Sequence, residues 1–223
     1  MTNLKLSNRM QSIANMVDKN SKVLDVGCDH ALIDIYLLLN KKVKKVIASD
    51  INENALNMAK TNILSYNIKD ISIRCGNGLD ILNKSDDVNT VIISGMGYKT
   101  IINILSNKDK LNDINTIIIQ SNNHVSDIRK YMVNNNYYIK NEELSMDKNI
   151  IYTVIKFKKG QCNYTKKELQ LGPCILKNKN KLFIKYINNL INKNTKILKS
   201  LPAKKLIKKI KILYIIKQLK KEI

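Results

Sequence analysis

The feature that most constrains this chain is the alternation, from about residue 22 to 157, of short β-branched runs with helical segments. Lys22–Gly27 reads as a buried strand ending at a glycine turn, Asp29–Asn40 as a helix, Lys45–Asp50 as a strand and Glu53–Tyr66 as a helix. Ile71–Cys75 and Thr90–Ser94 follow as strands, Tyr98–Leu105 as a helix, Ile114–Gln120 as a strand and about 125–135 as a helix. Ahead of them, Leu6, Met10, Ile13 and Val17 recur at helical spacing behind Ser7, a good N-cap. Tyr138–Leu144 and Ile150–Phe157 are consecutive strands joined by a polar turn around Asp147. Strands alternating with helices of this length imply βαβ units and a mostly parallel sheet, here closed by an antiparallel hairpin.

After Gly160 the strand-like runs stop. Residues 175–222 are helical in pattern, with one break at Pro202. Phe183, Tyr186, Leu190, Ile197 and Leu201 lie near one stripe, and Leu206, Ile210 and Leu213 begin another. Two helices packed as an antiparallel hairpin bury both stripes and leave outer faces of lysine. The expected fold is therefore α/β: a Rossmann-like domain over residues 1–160 and a basic helical coiled-coil domain over 161–223. The final hairpin fits the class I methyltransferase sheet better than the standard dinucleotide fold, which lacks it.

Net charge is +21, with a sequence pI near 9.8. Residues 1–160 carry 22 basic and 16 acidic side chains, whereas 161–223 carry 17 and 2. A genome rich in adenine and thymine raises lysine everywhere, but the excess here is concentrated in one part. Such a stripe attracts polyanions by releasing their counterions, so nucleic acid is the expected partner; the alternative is a solvated coiled coil that only stabilises the fold. Cys28, Cys75, Cys162 and Cys174 form no CxxC pair and no zinc spacing, and only His30 and His124 accompany them. No metal and a reducing cytoplasm are the expectations. No apolar run has the length of a membrane span, and Met1–Met10 lacks the apolar core of a signal peptide.

The stretch Leu24-Asp25-Val26-Gly27-Cys28-Asp29-His30 places a glycine where a strand ends and a helix begins, the edge at which open α/β sheets bind ligands. Gly27 is its only glycine, so the pattern is not GxGxxG, and Asp29 opposes a pyrophosphate. That disfavours NAD or FAD and favours a cofactor with cationic groups; S-adenosylmethionine fits, with S-adenosylhomocysteine as its product. Asp50 ends the second strand 23 residues after Gly27, where a carboxylate accepts ribose hydroxyls, or else caps the following helix. Asn77, in Gly76-Asn77-Gly78-Leu79, is a candidate adenine contact, or part of a tight turn. Cys28, His30, Ile51, Gly78, Gly95 and Met96 complete the expected cofactor set. Two further loops belong to the same edge, Ser94–Tyr98 and Gln120–His124. The polar–Pro–Pro–aromatic loop of amino-methyltransferases is absent, and Tyr98 either stacks on a base or simply starts its helix. Arg9, Arg129, Lys177, Lys181, Lys185, Lys204, Lys205 and Lys208 are candidate phosphate contacts, which position a nucleic acid without specifying its sequence.

The segments LSNRMQSIA, DVGCDHALIDIY, GNGL, GMGYKTII, IQSNNHVSDIRKYM and LGPCILKNKNKLF together resemble the bacterial tRNA (adenine-22-N1)-methyltransferase family, from Leu6 into the basic tail. The resemblance implies a Rossmann-like enzyme with a C-terminal helical coiled-coil domain, transferring a methyl group from S-adenosylmethionine to N1 of adenosine 22 of tRNA. It departs from the family at Leu32 and Asp34, where DHAYLP has its aromatic and proline, and in GNGL for GDGL, GMGY for GMGG and QSN for QPN. Asp25, Gly27, Asp29, His30 and Asp50 match. Adenine N1 already has a lone pair, so the reaction needs alignment rather than a strong base. Positive charge then develops on the base, and an oxygen accepting from its exocyclic amino group stabilises it. Asp29 is the first candidate for that oxygen, Asn122 and Gln120 the second; His30 and His124 are helpers or scaffold. A base buried in folded RNA has to be extruded to reach them. A monomer acting on tRNA is expected. The alternatives are a methyltransferase for another RNA position, ribosomal RNA or protein, and a non-catalytic RNA-binding protein on a degenerate Rossmann domain; a nicotinamide oxidoreductase is disfavoured by Asp29.

Overall fold

The computed structural model describes residues 4–223. Helix α1 (Asn8–Met16) begins where the Ser7 hydroxyl accepts from the Met10 amide and buries Ile13, Ala14 and Met16. There follow β1 (Ser21–Val26), α2 (Leu32–Leu39), β2 (Val43–Asp50), α3 (Glu53–Ser65), β3 (Ile71–Cys75), β4 (Thr90–Met96), α4 (Tyr98–Leu105), β5 (Thr116–Ser121), α5 (Val125–Asn134), β6 (Tyr137–Asp147) and β7 (Ile150–Lys159). The C-terminal part consists of α6 (Lys166–Leu171), α7 (Pro173–Lys177), α8 (Lys181–Ser200) and α9 (Leu206–Lys220).

The strands form one sheet in the order β3-β2-β1-β4-β5-β7-β6. β1 to β5 are parallel, and β7 runs antiparallel to both β5 and β6. Lys148 and Asn149 join β6 to β7, both at positive φ, the conformation of a two-residue turn whose twist matches the strands. Successive strand residues feed opposite faces: Val23, Ile92, Ile118 and Val154 pack with Ile13, Ile33 and Leu37, while Leu24, Val91, Ile93 and Ile119 pack with Ile101, Ile104 and Ile128. Each such side chain, wholly removed from water, contributes about 1.5–3 kcal/mol. Strand order reverses between β1 and β4, the point at whose C-terminal ends open α/β sheets bind ligands.

Helix α2 starts at Leu32, later than the pattern suggests, because Gly27, Asp29 and Ala31 all take positive φ and cannot be helical. Residues to Cys174 form one compact unit and Ile175–Ile223 another, so the division falls beyond the expected boundary at 160. The reason is a set of polar ties: the Tyr164 hydroxyl accepts from the Ile139 amide at 2.9 Å, and Arg129 donates to the carbonyls of Leu169 and Gln170. In the second unit the Asn180 side chain caps α8, and Lys179 pairs with Glu222 at 3.0 Å, so α8 and α9 run antiparallel. Its seam differs from the expected one. Phe183, Ile187, Ile212 and Leu219 are buried, whereas Leu206, Ile210 and Leu213 face solvent. Helix α9 is apolar on both sides, and periodicity alone does not choose between them.

Candidate active site

The turn after β1 lies against the end of β4. Gly27 takes a φ of +75°, a left-handed conformation that favours glycine, and the Met96 methyl packs where a Cβ would stand. The Gly27 and Cys28 amides both donate to the Ser49 carbonyl, at 2.8 and 2.9 Å, fastening the turn to β2. From α3, the Asn62 side chain donates to the His30 carbonyl at 2.9 Å; no spacing in the sequence marks Asn62 out. The turn thereby projects Asp29, with its side chain 71% exposed, and His30, whose Nε2 stands 3.7 Å from Asp29 Oδ1.

Beneath this turn sit two wholly buried carboxyls, Asp25 and Asp34, lying against each other, and no backbone amide or other side chain donates to Asp25 Oδ1 or to either Asp34 oxygen. Burial, then the charge of Asp50, pushes Asp25 up to about 7; burial and the neighbouring Asp25 push Asp34 well above the usual carboxylate range. The Cys28 thiol is pushed up by burial and by the same three carboxylates, so it stays neutral. Asp50 Oδ1 accepts from the Asn52 amide at 2.9 Å, while the cap of α3 is Asn52 itself, so the cap falls to Asn52 and not to Asp50. Beside it Ile51 leaves 72% of its surface uncovered. Asn77 is exposed on the next turn; Gly78 is buried beneath Ile104, 3.1 Å from where a Cβ would stand, and its role is close packing against α4. Asp25, Asp29 and Asp50 give this edge a negative potential that suits a ligand carrying cationic groups and opposes a pyrophosphate.

On the opposite side, the ends of β4 and β5 are knitted by amides. Gln120 is fully buried; its Oε1 accepts from Arg9 Nη1 at 2.7 Å and from the Gly95 amide at 3.1 Å, and its Nε2 donates to Asn122 Oδ1 at 3.1 Å. Gln120 is thus committed to the scaffold, which corrects its reading as a base contact. Asn122 donates from Nδ2 to the Gly95 carbonyl at 2.7 Å while its side chain remains exposed. The Asn123 side chain accepts from the Tyr98 amide at 2.8 Å and so caps α4, a role the sequence reading did not assign. The rings of Tyr98 and His124 are tilted with centroids 5.7 Å apart, and His124 Nδ1 lies 3.2 Å from Asp127.

Arg129 corrects another expectation. It is completely buried and pairs at 2.5 Å with the equally buried Glu142, so it holds the core together and is inaccessible to phosphate. Lys177, Lys181, Lys185, Lys204, Lys205 and Lys208 are all exposed. A shallow recess beside the turn into α9 is lined by Lys204, Lys205, Lys208 and Lys211 around Leu206 and Ile207. None of the four cysteines forms a disulfide, and among the described residues no cluster of three or more metal-binding side chains occurs. No helix of the described residues is long and apolar enough to cross a membrane.

A sheet of this order with a terminal antiparallel hairpin, and an acid-lined glycine turn at its switch point, defines a Rossmann-like methyltransferase. The family model described as tRNA (adenine(22)-N(1))-methyltransferase matches residues 23–222. The chain belongs to that family. It is 31% identical over 193 residues to the tRNA (adenine(22)-N(1))-methyltransferase of Bacillus subtilis, covering 83% of this chain and 81% of that protein. Among solved structures, M. capricolum TrmK in complex with S-adenosyl-homocysteine superposes with a TM-score of 0.87 at 33% identity, covering 97% of this chain and 96% of that one. A Streptococcus agalactiae protein of the NADB-Rossmann superfamily superposes with a TM-score of 0.92 at 33% identity, covering 99% and 98%.

Proposed function

We infer that this chain methylates N1 of adenine 22 in tRNA, and that the acid-lined turn at residues 25–30, facing the loop that carries Asn122, is the reaction centre. That juxtaposition carries the reading: one wall is negative and shaped by Gly27, and the other presents an amide and the Tyr98 ring. Asp25, Gly27, Cys28, His30, Asp50, Ile51, Asn77, Gly95 and Met96 form the cofactor side, with the uncovered Ile51 as an apolar floor for an adenine. S-adenosylmethionine, when bound, supplies an electrophilic methyl group and leaves as S-adenosylhomocysteine.

The residues then have little covalent work. N1 brings its own lone pair, so the chain aligns the base rather than deprotonating it. The exposed Asp29 carboxylate accepts from the exocyclic amino group, with Asn122 Oδ1 as a second acceptor, and both become better partners as positive charge develops. Tyr98 offers a ring face to the extruded base. The exposed lysines of the helical unit neutralise phosphates and add affinity without sequence preference. One copy of the chain carries every residue this reading uses, which supports a monomer. A tRNA substrate and four cysteines outside any disulfide suit a reducing cytoplasm.

Nucleoside mass spectrometry of unmodified tRNA incubated with S-adenosylmethionine tests the assignment. Wild type yields 1-methyladenosine; Asp29→Ala lowers the rate by about a hundredfold or more while calorimetry shows the cofactor still bound. Absence of both product and binding in wild type would favour the non-catalytic RNA-binding alternative. A full rate in Asp29→Ala would remove Asp29 from the centre.

A further inference from the structure

Arg9 reads from the sequence as a phosphate contact, but its surroundings describe a held side chain. Its guanidinium carbon stands 5.4 Å from the centroid of the Tyr152 ring on β7, and its Nη1 donates to the buried Gln120. Helix α1 is itself pinned at this point, since Asn8 donates to the Met146 carbonyl on β6 at 3.0 Å. Two donors, Arg9 and the Gly95 amide, converge on one oxygen of Gln120. An inverted Gln120 amide would set its own N–H groups against both, so its orientation is fixed. Its Nε2 therefore meets Asn122 Oδ1, and Asn122 in turn directs Nδ2 to the Gly95 carbonyl. Each amide has one way to sit, and the order starts from Arg9.

We propose that Arg9 is a positioning residue for methyl transfer: through Gln120 it fixes the amide of Asn122, leaving a lone pair of Oδ1 for the amino group of the target base. The proposal rests on the reading of Asn122 as a base contact. Held in place before substrate arrives, such an acceptor needs no reorganisation when charge develops. The cation acts from behind Gln120 and orients an oxygen, whereas a cation beside the base would oppose its developing charge.

Steady-state methylation of tRNA at several salt concentrations, with cofactor-free tRNA binding followed by anisotropy, tests the relay. Arg9→Ala is expected to lower kcat by about ten- to a hundredfold, leaving the KM and Kd for tRNA, and their salt dependence, as in wild type. Gln120→Glu keeps the acceptor used by Arg9 and Gly95 but has no N–H for Asn122, and is expected to lose kcat likewise. In an Asn122→Ala background, Arg9→Ala is expected to cost little more, because the two act in one chain. Thermal melting monitors folding, and if Arg9→Ala melts early then Gln120→Glu carries the test. A raised KM and Kd with kcat intact and a salt slope reduced by about one would make Arg9 a phosphate contact. Multiplicative losses in the double variant would overturn the relay alone. A wild-type kcat in Asn122→Ala would overturn the reading of Asn122 and the relay with it.

Discussion

Asp25 and Asp34 show how much chemistry a single buried contact can hold. Two carboxyls this close and this far from water do not both ionise, so the folded protein retains a proton that the unfolded chain releases. The folded value is raised, so the stabilising contribution is complete below the unfolded value of about 3.9 and is lost as pH rises through about 7. The wild-type melting temperature is therefore expected to fall across that window, by about 3–5 °C per pH unit from this pair. Asp34→Asn keeps a neutral hydrogen-bond donor beside Asp25 and is expected to flatten the fall, gaining on wild type as pH increases. Parallel melting curves from pH 4 to pH 8 would show that the pair does not share a proton. Asp29 and Asp50 were legible in the sequence because each sits next to a local signal, the glycine turn and the strand end. Gln120 and Arg9 were singled out too, but for other roles; their contact was not legible, because they meet across 111 positions and only the folded sheet brings them together.

Among the elements, α5 and β6 carry the largest electrostatic commitment. Arg129 on α5 and Glu142 on β6 are each completely buried, and the Arg129 guanidinium also ties down the carbonyl end of α6. Removing one partner leaves a charge in the core: Glu142→Ala is expected to cost about 3–5 kcal/mol in chemical denaturation, and adding Arg129→Met restores part of it. A loss below about 1 kcal/mol would mean the pair behaves as if exposed. An arginine at helical spacing looks like surface in a sequence, and only the opposing Glu142 shows otherwise. Strands and helices of the first unit were readable because their apolar periods, 2 and 3.6, differ clearly. The late start of α2 was not, since positive φ at Gly27, Asp29 and Ala31, every second residue, leaves no periodic trace. In α9 the seam was unreadable for the opposite reason: apolar residues surround the helix, and contact with α8 selects Ile212 and Leu219.

At the scale of the molecule, chemistry and charge are divided between two units. The first carries the acids and amides at the switch point of the sheet; the second, from Ile175, carries 15 lysines against the single acid Glu222. That asymmetry was plain in the sequence and matches a polyanionic substrate, but charge carries no information about which base is methylated. Position has to come from how the tRNA is held and which adenine reaches the proposed acceptors, Asp29 and Asn122. The most direct test supplies two otherwise identical unmodified tRNAs, one with adenosine and one with guanosine at position 22, and locates any methyl group by mass spectrometry of ribonuclease fragments. The account predicts a single 1-methyladenosine at position 22 in the first tRNA and none in the second. Equal methylation of both, or a methyl group at any other nucleotide of the first, would contradict it.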